Sequence, residues 1–147
     1  MAELRSKRLA IVVQLAKKEE DSAADVFSLC QQALALEQKR LADIDEYYAS
    51  YEETIASQRM GLHGDQLQHS RAFLAQLNVA RTQQRNTIIQ AESTFKRRQS
   101  EWQVLRLKHQ SLLDYVERLR QEELAVLDKQ AQSVSDDLAA QRFFRRR

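Results

Sequence analysis

The stretch Met60-Gly61-Leu62-His63-Gly64-Asp65, written MGLHGD, holds both glycines of a 147-residue chain that contains no proline. Glycine adopts left-handed backbone conformations without steric cost, and proline breaks helices, so these two residue types mark where helices end. Here both glycines fall near the middle of the chain. The stretch therefore predicts one reversal of direction between two long helical arms.

The composition on either side of this stretch is that of long helices. Charged residues make up 30% of the chain and aromatic residues 7%, while helix-forming residue types dominate the rest. No segment alternates between polar and apolar residues, so strands are not expected. The sequence predicts an all-α fold, a long antiparallel two-helix coiled-coil hairpin with a longer C-terminal helix. We place this single hairpin over 1–147, with helix 3–59, turn 60–65, helix 66–142 and basic tail 142–147.

Three residues of the turn have expected roles. Gly61 can adopt the left-handed conformation that ends a helix, and Gly64 gives the returning chain conformational freedom. Asp65 is expected to be the N-cap of the second helix, with its carboxylate accepting a hydrogen bond from an otherwise unpaired amide. A short connection of this kind makes its two helices antiparallel neighbours.

An apolar seam follows each arm at alternating steps of three and four residues, which is the spacing of a heptad coiled coil. Twelve of the fourteen positions on the first arm are apolar, Ala or Tyr, and eleven of the sixteen on the second arm are apolar. The first seam consists of Leu9, Val13, Ala16, Glu20, Ala23, Phe27, Cys30, Leu34, Glu37, Leu41, Ile44, Tyr48, Tyr51 and Ile55. The second seam consists of Leu74, Leu77, Arg81, Gln84, Ile88, Ala91, Phe95, Arg98, Trp102, Leu105, His109, Leu112, Val116, Leu119, Glu123 and Val126.

The two seams agree in register. If the turn centres between residues 62 and 63, residues whose numbers add up to 125 face each other. Cys30 then meets Phe95, and Ala23 meets Trp102, which pairs a small residue with a large one in a narrow gap. Because the seams coincide along the whole first arm, they favour the hairpin.

The second arm is longer than the first. By the same register Leu4 reaches only Gln121, so residues 122–147 extend beyond the first arm, by roughly 35–40 Å if they are helical. An apolar stripe continues along this extension at three- and four-residue steps, shifted from the seam. Since an apolar stripe exposed to water is a binding surface or a liability, we expect another molecule to cover it. The stripe consists of Leu124, Leu127, Ala131, Val134 and Leu138.

No residue pattern indicates catalysis or metal binding. His63 and His69 are six residues apart, a spacing that does not place them on one helix face. His109 is interpreted as a polar residue tolerated in the seam, and Cys30, with no histidine opposite it, as a small apolar residue. Two glycines are too few for a phosphate-binding loop. We therefore expect a protein that is not an enzyme and that binds no cofactor and no metal.

The chain is expected to be soluble and cytoplasmic. Its apolar run at residues 9–13 is followed by Gln14 and by charged residues at 17–20, whereas a membrane span needs roughly 20 apolar residues. We interpret the run as the first turns of a helix. The single cysteine, Cys30, fits a reducing compartment.

A group of aromatic residues lies near the turn. Tyr47, Tyr48 and Tyr51 belong to the first arm and Phe73 to the second. The rings either pack over the rim of the seam with their hydroxyls in water, or form a docking patch for another protein. The sequence favours neither interpretation over the other.

The chain ends in the basic segment 142–147, which includes two adjacent phenylalanines, Phe143 and Phe144. Arginines at this place can simply complement the C-terminus of a helix, or they can bind phosphate or an anionic membrane surface. The paired phenylalanines favour a hydrophobic socket on a partner over electrostatics alone.

Three stretches in a fixed order carry a resemblance to a known family. They are LAKKEEDSAA at 15–24, IDEYYASY at 44–51 and FLAQLNVA at 73–80, with the glycine turn between the second and the third. With the chain length, they resemble the FliJ family of the flagellar type III export apparatus over essentially the whole chain. No single stretch is a strong motif, and the resemblance lies in the ordered combination.

The resemblance implies a fold, a role and partners. Members of this family form an antiparallel two-helix coiled coil similar to the central stalk of rotary ATPases, whose paired ends enter the ring of the flagellar export ATPase and promote its assembly and activity. They also contact the cytoplasmic domain of the export gate protein FlhA and handle empty export chaperones. The implied location is cytoplasmic, peripheral to the inner membrane through the export gate, with no nucleic acid as a partner.

Two sets of binding residues are expected, one carried over from the resemblance and one taken from the exposed apolar positions. For the export gate they are Tyr47, Tyr51, Phe73, Leu77, Ala80 and Gln84. For the ATPase ring, the uncovered stripe and the end of the chain supply Leu124, Leu127, Val134, Leu138, Phe143 and Phe144. The heptads bury Tyr51 and Leu77 in the seam, whereas a gate-binding patch needs both at least partly exposed.

Three other functions stay open from the sequence. One is the equivalent stalk of a virulence type III injectisome, which differs from the flagellar stalk by its system and not by its physics. Another is a basic-tailed coiled coil that binds nucleic acid or anionic lipid. The third is a structural dimer whose helices continue through Gly61 and Gly64.

Overall fold

A computed structural model describes residues 4–57 and 64–146 of the chain. Helix α1 spans Arg5–Ser57 and helix α2 spans Gly64–Arg145. The two helices pack against each other, and the described residues contain no strand. The predicted all-α hairpin with a longer second helix is confirmed.

The ends of α2 differ from those predicted. The helix already begins at Gly64, so Asp65 lies inside its first turn and is not the N-cap. Its negative charge still stabilises the helix there, because the amino-terminal end of the helix dipole is positive. Gly64 has no positive φ. The expected role of Gly61, the rest of the turn and the interpretation of His63 concern residues outside the described ranges.

At the other end α2 continues to Arg145, through most of the predicted basic tail. Arg142 and Arg145 lie in its last turn. Cations at this position interact favourably with the unpaired carbonyl groups at the carboxyl-terminal end of a helix. The arginines therefore extend the helix instead of ending it.

The predicted seam matches the observed burial. All fourteen seam positions on α1 are buried or half-buried, and so are fifteen of the sixteen on α2. The exception is Val126, which is 55% exposed. Helix α1 begins at Arg5, and its first contact across the seam reaches α2 at Glu123, so Val126 lies beyond this contact.

The described chain packs as two compact units. Unit 2 is Ser22–Trp102, and unit 1 combines the chain up to Asp21 with the chain from Gln103 onward. In unit 2 the ring of Phe27 lies 5.0 Å from that of Phe95 and stacks on that of Trp102 at 5.7 Å. The register had placed Phe95 opposite Cys30 and Trp102 opposite Ala23, but both rings contact Phe27 instead. Long side chains lean along the helix axis, so they reach partners one turn away from the residue directly opposite.

Polar residues of the seam pair with each other across it. In unit 2, Gln84 binds Glu37. In unit 1, His109 Nδ1 lies 2.7 Å from Oε2 of Glu20, with both side chains mostly buried. The numbers of this last pair add up to 129, and those of the contacting rings Tyr47 and Phe73 in unit 2 add up to 120. The predicted register, in which the numbers of facing residues add up to 125, lies between these two observed values.

Candidate partner-binding surfaces

Three rings near the turn end of unit 2 form an aromatic cluster, namely Tyr47, Tyr51 and Phe73. The Tyr51 and Phe73 rings meet edge-on with centroids 4.7 Å apart, and the Tyr47 ring meets Phe73 at 6.0 Å and an interplanar angle of 87°. The ring centroids of Tyr47 and Tyr51 lie 6.5 Å apart. Edge-to-face contacts of this kind fix the orientation of each ring.

The aromatic cluster is partly exposed. Tyr47 is 54% exposed, whereas Tyr51 and Phe73 are half-buried. Tyr47 precedes a seam position on α1 and Phe73 precedes one on α2, so the two rings lie along one edge of the helix pair and not inside it. A rigid group of rings with one wet face has the character of a protein-binding hot spot.

Polar anchors hold the helices together beside this cluster. The Arg81 guanidinium lies 4.1 Å from the centre of the Tyr48 ring, and its Nε is 2.8 Å from Oδ1 of Asp45 in an ion pair. A stacked and paired guanidinium is a rigid contact. Sequence reasoning missed this group, although Arg81 on the seam was its signal, because a charge at a seam position needs a partner.

The second candidate surface is the C-terminal extension, residues 124–146, which lies in unit 1 and consists of the end of α2 and Arg146. Every residue of this segment is exposed. The apolar side chains among them are as exposed as polar ones usually are, so this segment presents an apolar stripe to solvent. Their exposed fractions are 54% for Leu124, 53% for Leu127, 59% for Val134, 52% for Leu138, 59% for Phe143 and 71% for Phe144.

A hydrogen-bonded contact marks where the extension begins. The backbone amide of Ser6 donates to Oε1 of Glu123 at 3.1 Å, and the Ser6 hydroxyl donates to Oε2 at 2.6 Å. The side-chain hydrogen bond from Ser6 is the main reason that the pKa of Glu123 is lowered from its ordinary value of 4.5. Glu123 thereby caps the first turn of α1 from the other helix, a role that the sequence did not reveal.

Beside this contact lies an open groove of about 400 Å³. Leu4, Leu119, Val126 and Leu127 give it apolar walls, and Glu122 and Glu123 lie at its edge. The groove is large enough for one aromatic side chain of a partner. It adjoins the stripe of the extension, because Leu127 belongs to both.

The structure places the two predicted sets of binding residues in different units. The aromatic cluster belongs to unit 2, and the extension belongs to unit 1. Among residues 4–57 and 64–146, no group of three or more His, Cys, Asp or Glu side chains is arranged to hold a metal ion. Cys30 is a half-buried free thiol.

The family model of the flagellar FliJ protein matches residues 6–147, nearly the whole chain. This chain belongs to the FliJ family. No curated protein and no solved structure matches its sequence. Membership makes it a component related to flagellar protein export, and it favours the flagellar system over the injectisome. In the described part of this FliJ-family chain, neither helix has a segment long and apolar enough to cross a membrane.

Four of the positions that the FliJ resemblance assigns to the export gate are half-buried residues next to or on the seam: Tyr51, Phe73, Leu77 and Ala80. The tension over Tyr51 and Leu77 is thus reduced, since each keeps some exposed surface. Gln84 is different. Its side-chain amide donates to the backbone carbonyl of Glu37 at 2.9 Å and to Oε2 of the same residue at 2.6 Å, so it holds the two helices together.

Proposed function

We propose that this FliJ-family protein is a stalk of the flagellar export apparatus that binds and stimulates the export ATPase ring through its C-terminal extension. The observation that supports this most strongly is the uncovered stripe on a chain of this family. Five apolar positions from Leu124 to Leu138 repeat at three- and four-residue steps on an exposed helix. A helix surface of this kind gains stability when a partner removes it from water.

The C-terminal end of the extension has the composition of a segment that binds in an apolar pocket of a partner protein. Phe143 and Phe144 meet edge-on at 6.1 Å, and arginines lie on both sides of them. Apolar rings supply most of the affinity in protein contacts, and arginine supplies hydrogen bonds at their rim. With no nucleotide-binding loop of its own, the protein would act by binding, and the ATPase would supply the chemistry.

A matched pair of variants tests the ring contact. Leu127→Asp introduces a charge into the stripe, and Lys129→Asp introduces the same residue two positions away, on the opposite side of the helix. We expect Leu127→Asp to reduce stimulation of the purified export ATPase by roughly tenfold, since a desolvated apolar contact of this size contributes about 1.5 kcal/mol. Lys129→Asp should stimulate as the parent does. Equal stimulation by both variants, together with full stimulation by a chain ending at residue 123, would refute the proposal.

For the export gate we propose that the aromatic cluster binds the cytoplasmic domain of FlhA, with Tyr47 as the most exposed contact and Tyr51, Phe73, Leu77 and Ala80 around it. Gln84 contributes by holding α2 in register with α1. This surface would also keep the protein at the membrane periphery. Binding of empty export chaperones is part of the same proposal and is assigned to no residue.

The gate contact can be separated from the packing of the hairpin. Tyr47→Ala removes the most exposed ring, whereas Tyr115→Ala removes a partly exposed tyrosine of unit 1 as a control. We expect Tyr47→Ala to weaken binding to the FlhA cytoplasmic domain by roughly tenfold or more, as hot-spot tyrosines do. Calorimetric titration measures the loss, and circular dichroism monitors helix content. A loss of helix content that accompanies the loss of binding would return Tyr47 to a packing role.

The basic end leaves one alternative function, which is binding of nucleic acid or anionic lipid through Arg142, Arg145 and Arg146. All three are exposed. Such binding would weaken steeply as salt is added and would tolerate Phe143→Ala and Phe144→Ala together. The proposed ring contact predicts the opposite, namely weak salt dependence and a marked loss when both rings are removed.

A further inference from the structure

The extension and its flanks are symmetric in sequence. Leu124 and Leu138 lie seven residues on either side of Ala131, and Glu117 and Arg145 lie fourteen residues on either side of it. Steps of seven residues return to the same face of a coiled-coil helix, so all five residues share one face. The apolar members are symmetric in type, and the two outer members have opposite charges. A face with this pattern is complementary to a second copy of itself that runs in the opposite direction.

From this symmetry we infer that the extension pairs with the extension of a second copy of this chain, in an antiparallel two-fold dimer centred on Ala131. In such a dimer each contact occurs twice, as in every isologous interface. Leu124 of each copy packs on Leu138 of the other, and the small Ala131 lies at the axis, where the helices approach most closely. The interface runs along each helix from Glu117 to Arg145, a length of about 42 Å.

The groove beside Glu123 gains an occupant in this arrangement. Phe144 lies three heptads after Glu123, so both face the same edge of the helix. In an antiparallel pair, equivalent edges of the two helices face each other, as Glu19 and Lys108 do within this chain at 3.2 Å. The ring of Phe144, which is 71% exposed, therefore reaches the 400 Å³ groove between Leu4, Leu119 and Val126 of the other copy.

Charge complementarity fixes the direction of the pair. Glu117 is exposed and its only ion pair among the described contacts is a loose one, 3.9 Å from Arg120 of its own helix. The antiparallel arrangement brings Arg145 of the second copy opposite this carboxylate, at both ends of the dimer. A parallel arrangement would instead place Glu117 beside Glu117 and Arg145 beside Arg145. Like charges at this distance repel, so the parallel pair is disfavoured.

This inference concerns the same stripe as the proposed ring contact, but it does not depend on that function. If both hold, the dimer is a resting form that covers the stripe, and the ring competes with the second copy for it. Binding of the ring would then dissociate the dimer. If the ring contact is wrong, the dimer is still expected from the symmetry, the groove and the charges.

Disulfide cross-linking tests the geometry in the full-length chain. In a Cys30→Ser background, Ala131→Cys places two thiols at the two-fold axis, within the 7 Å between Cα atoms that a disulfide spans. We expect a covalent dimer upon mild oxidation. Lys129→Cys, on the opposite side of the helix, is the control and should remain monomeric. Equal cross-linking of the two variants would overturn the proposal.

A mixing experiment tests the direction. Leu124→Cys alone and Leu138→Cys alone should give little disulfide, whereas an equal mixture of the two proteins should give a covalent heterodimer. A parallel dimer would give the reverse result, with each variant linking to itself, and would refute the antiparallel arrangement. These side chains are exposed in the single chain, so the substitutions should leave its helices intact.

Sedimentation equilibrium tests the predicted contacts. The average mass should rise with concentration from the 17.2 kDa of one chain toward twice that value. Phe144→Ala should weaken the dimer by roughly tenfold, while Phe143→Ala, which faces away from the partner, should change it by less than about twofold. Arg145→Glu should weaken it severalfold, and Arg145→Glu combined with Glu117→Arg should restore it. A mass that stays at one chain at every concentration would overturn the proposal.

Discussion

Gln84 donates both hydrogens of its side-chain amide to one residue of the opposite helix, at 2.9 Å to the backbone carbonyl of Glu37 and at 2.6 Å to its carboxylate. Both side chains are half-buried on the seam of unit 2. A polar pair of this kind forms in one register only, because a shift by one turn breaks both of these hydrogen bonds. It fixes the position of α2 next to the aromatic cluster.

We expect the double substitution of this pair to destabilise the hairpin less than the single substitution does. Gln84→Leu removes both hydrogen bonds across the seam and leaves the Glu37 carboxylate with only its ion pair to Arg40 on the same helix. It should lower the free energy of unfolding by roughly 1–3 kcal/mol. Replacing Glu37 and Gln84 together with leucine should recover most of that loss, since a matched apolar pair carries no unpaired group. Urea unfolding followed by circular dichroism gives both values. A double variant that is less stable than Gln84→Leu would show that the pair stabilises the hairpin outright.

The aromatic packing of unit 2 centres on Phe27. Because its ring contacts both Phe95 and Trp102, Phe27→Ala should lower the free energy of unfolding by roughly 2–4 kcal/mol. The half-buried position places the expected loss below that of a fully enclosed core phenylalanine. Phe27→Leu, which keeps most of the volume, should lose less than half as much stability, and thermal unfolding of both variants measures the two losses. Equal losses would mean that ring stacking, and not apolar volume, dominates.

Because of the contact between Glu123 and Ser6, the free energy of unfolding should depend on pH in the acidic range. The pKa of Glu123 is lowered in the folded chain, mainly by the hydrogen bond from the Ser6 side chain, so folding favours the ionised carboxylate. This stabilisation is fully present above the ordinary pKa of 4.5 and is lost as the pH falls through the lowered folded value. Glu123→Gln should therefore be less stable than the parent at neutral pH, with the difference shrinking as the pH falls through the lowered pKa of the folded chain.

Thermal midpoints of parent and variant at several pH values measure this difference. Ser6→Ala is the matched control, because it removes the main cause of the lowered pKa and should flatten the same pH dependence. Glu122→Gln neutralises the neighbouring carboxylate and should leave the dependence in place. If the parent and Glu123→Gln respond to acid in parallel, another carboxylate controls acid stability.

The guanidinium of Arg81 should not be replaceable by another cation. Arg81→Lys keeps the charge near Asp45 but loses the planar stack on Tyr48, so we expect a loss of about 0.5–1 kcal/mol. Arg81→Met, which keeps the stem and removes the charge, leaves Asp45 without its cation and should lose at least as much. Unfolding in guanidinium would obscure the electrostatic effect, so thermal unfolding at low salt is the suitable measurement. Full stability of Arg81→Lys would show that charge alone suffices.

Much of the fold could be read from spacing. Apolar residues at alternating steps of three and four must lie on one face of a helix, so the burial of residues such as Ala16 and Ile88 followed from their positions alone. The exposed extension followed from counting, because a first arm that begins near Leu4 cannot cover a helix that continues to Arg145. Asp65 was misplaced because helix termini carry weaker signals than helix interiors.

The candidate surfaces divide in the same way. The stripe from Leu124 to Leu138 was visible as a repeat, and so was its lack of a partner within the chain. By contrast, the edge-on packing of Tyr51 on Phe73, the double hydrogen bond of Gln84 and the capping of Ser6 by Glu123 depend on side-chain rotamers and on the exact offset of two helices. An offset of a few ångströms leaves the heptad pattern unchanged but alters every such contact.

The sequence by itself determined the two helices, the seam between them and the length of α2 that no part of α1 covers, because these follow from periodicity and chain length. Only the tertiary structure decided which polar residues pair across the seam and which aromatic rings meet at its edge. The physical reason is that the two kinds of feature depend on different distances along and between the helices. Periodicity acts through residues three and four apart on one helix, whereas hydrogen bonds and ring contacts between residues such as Glu37 and Gln84 need the helices placed to within a fraction of an ångström.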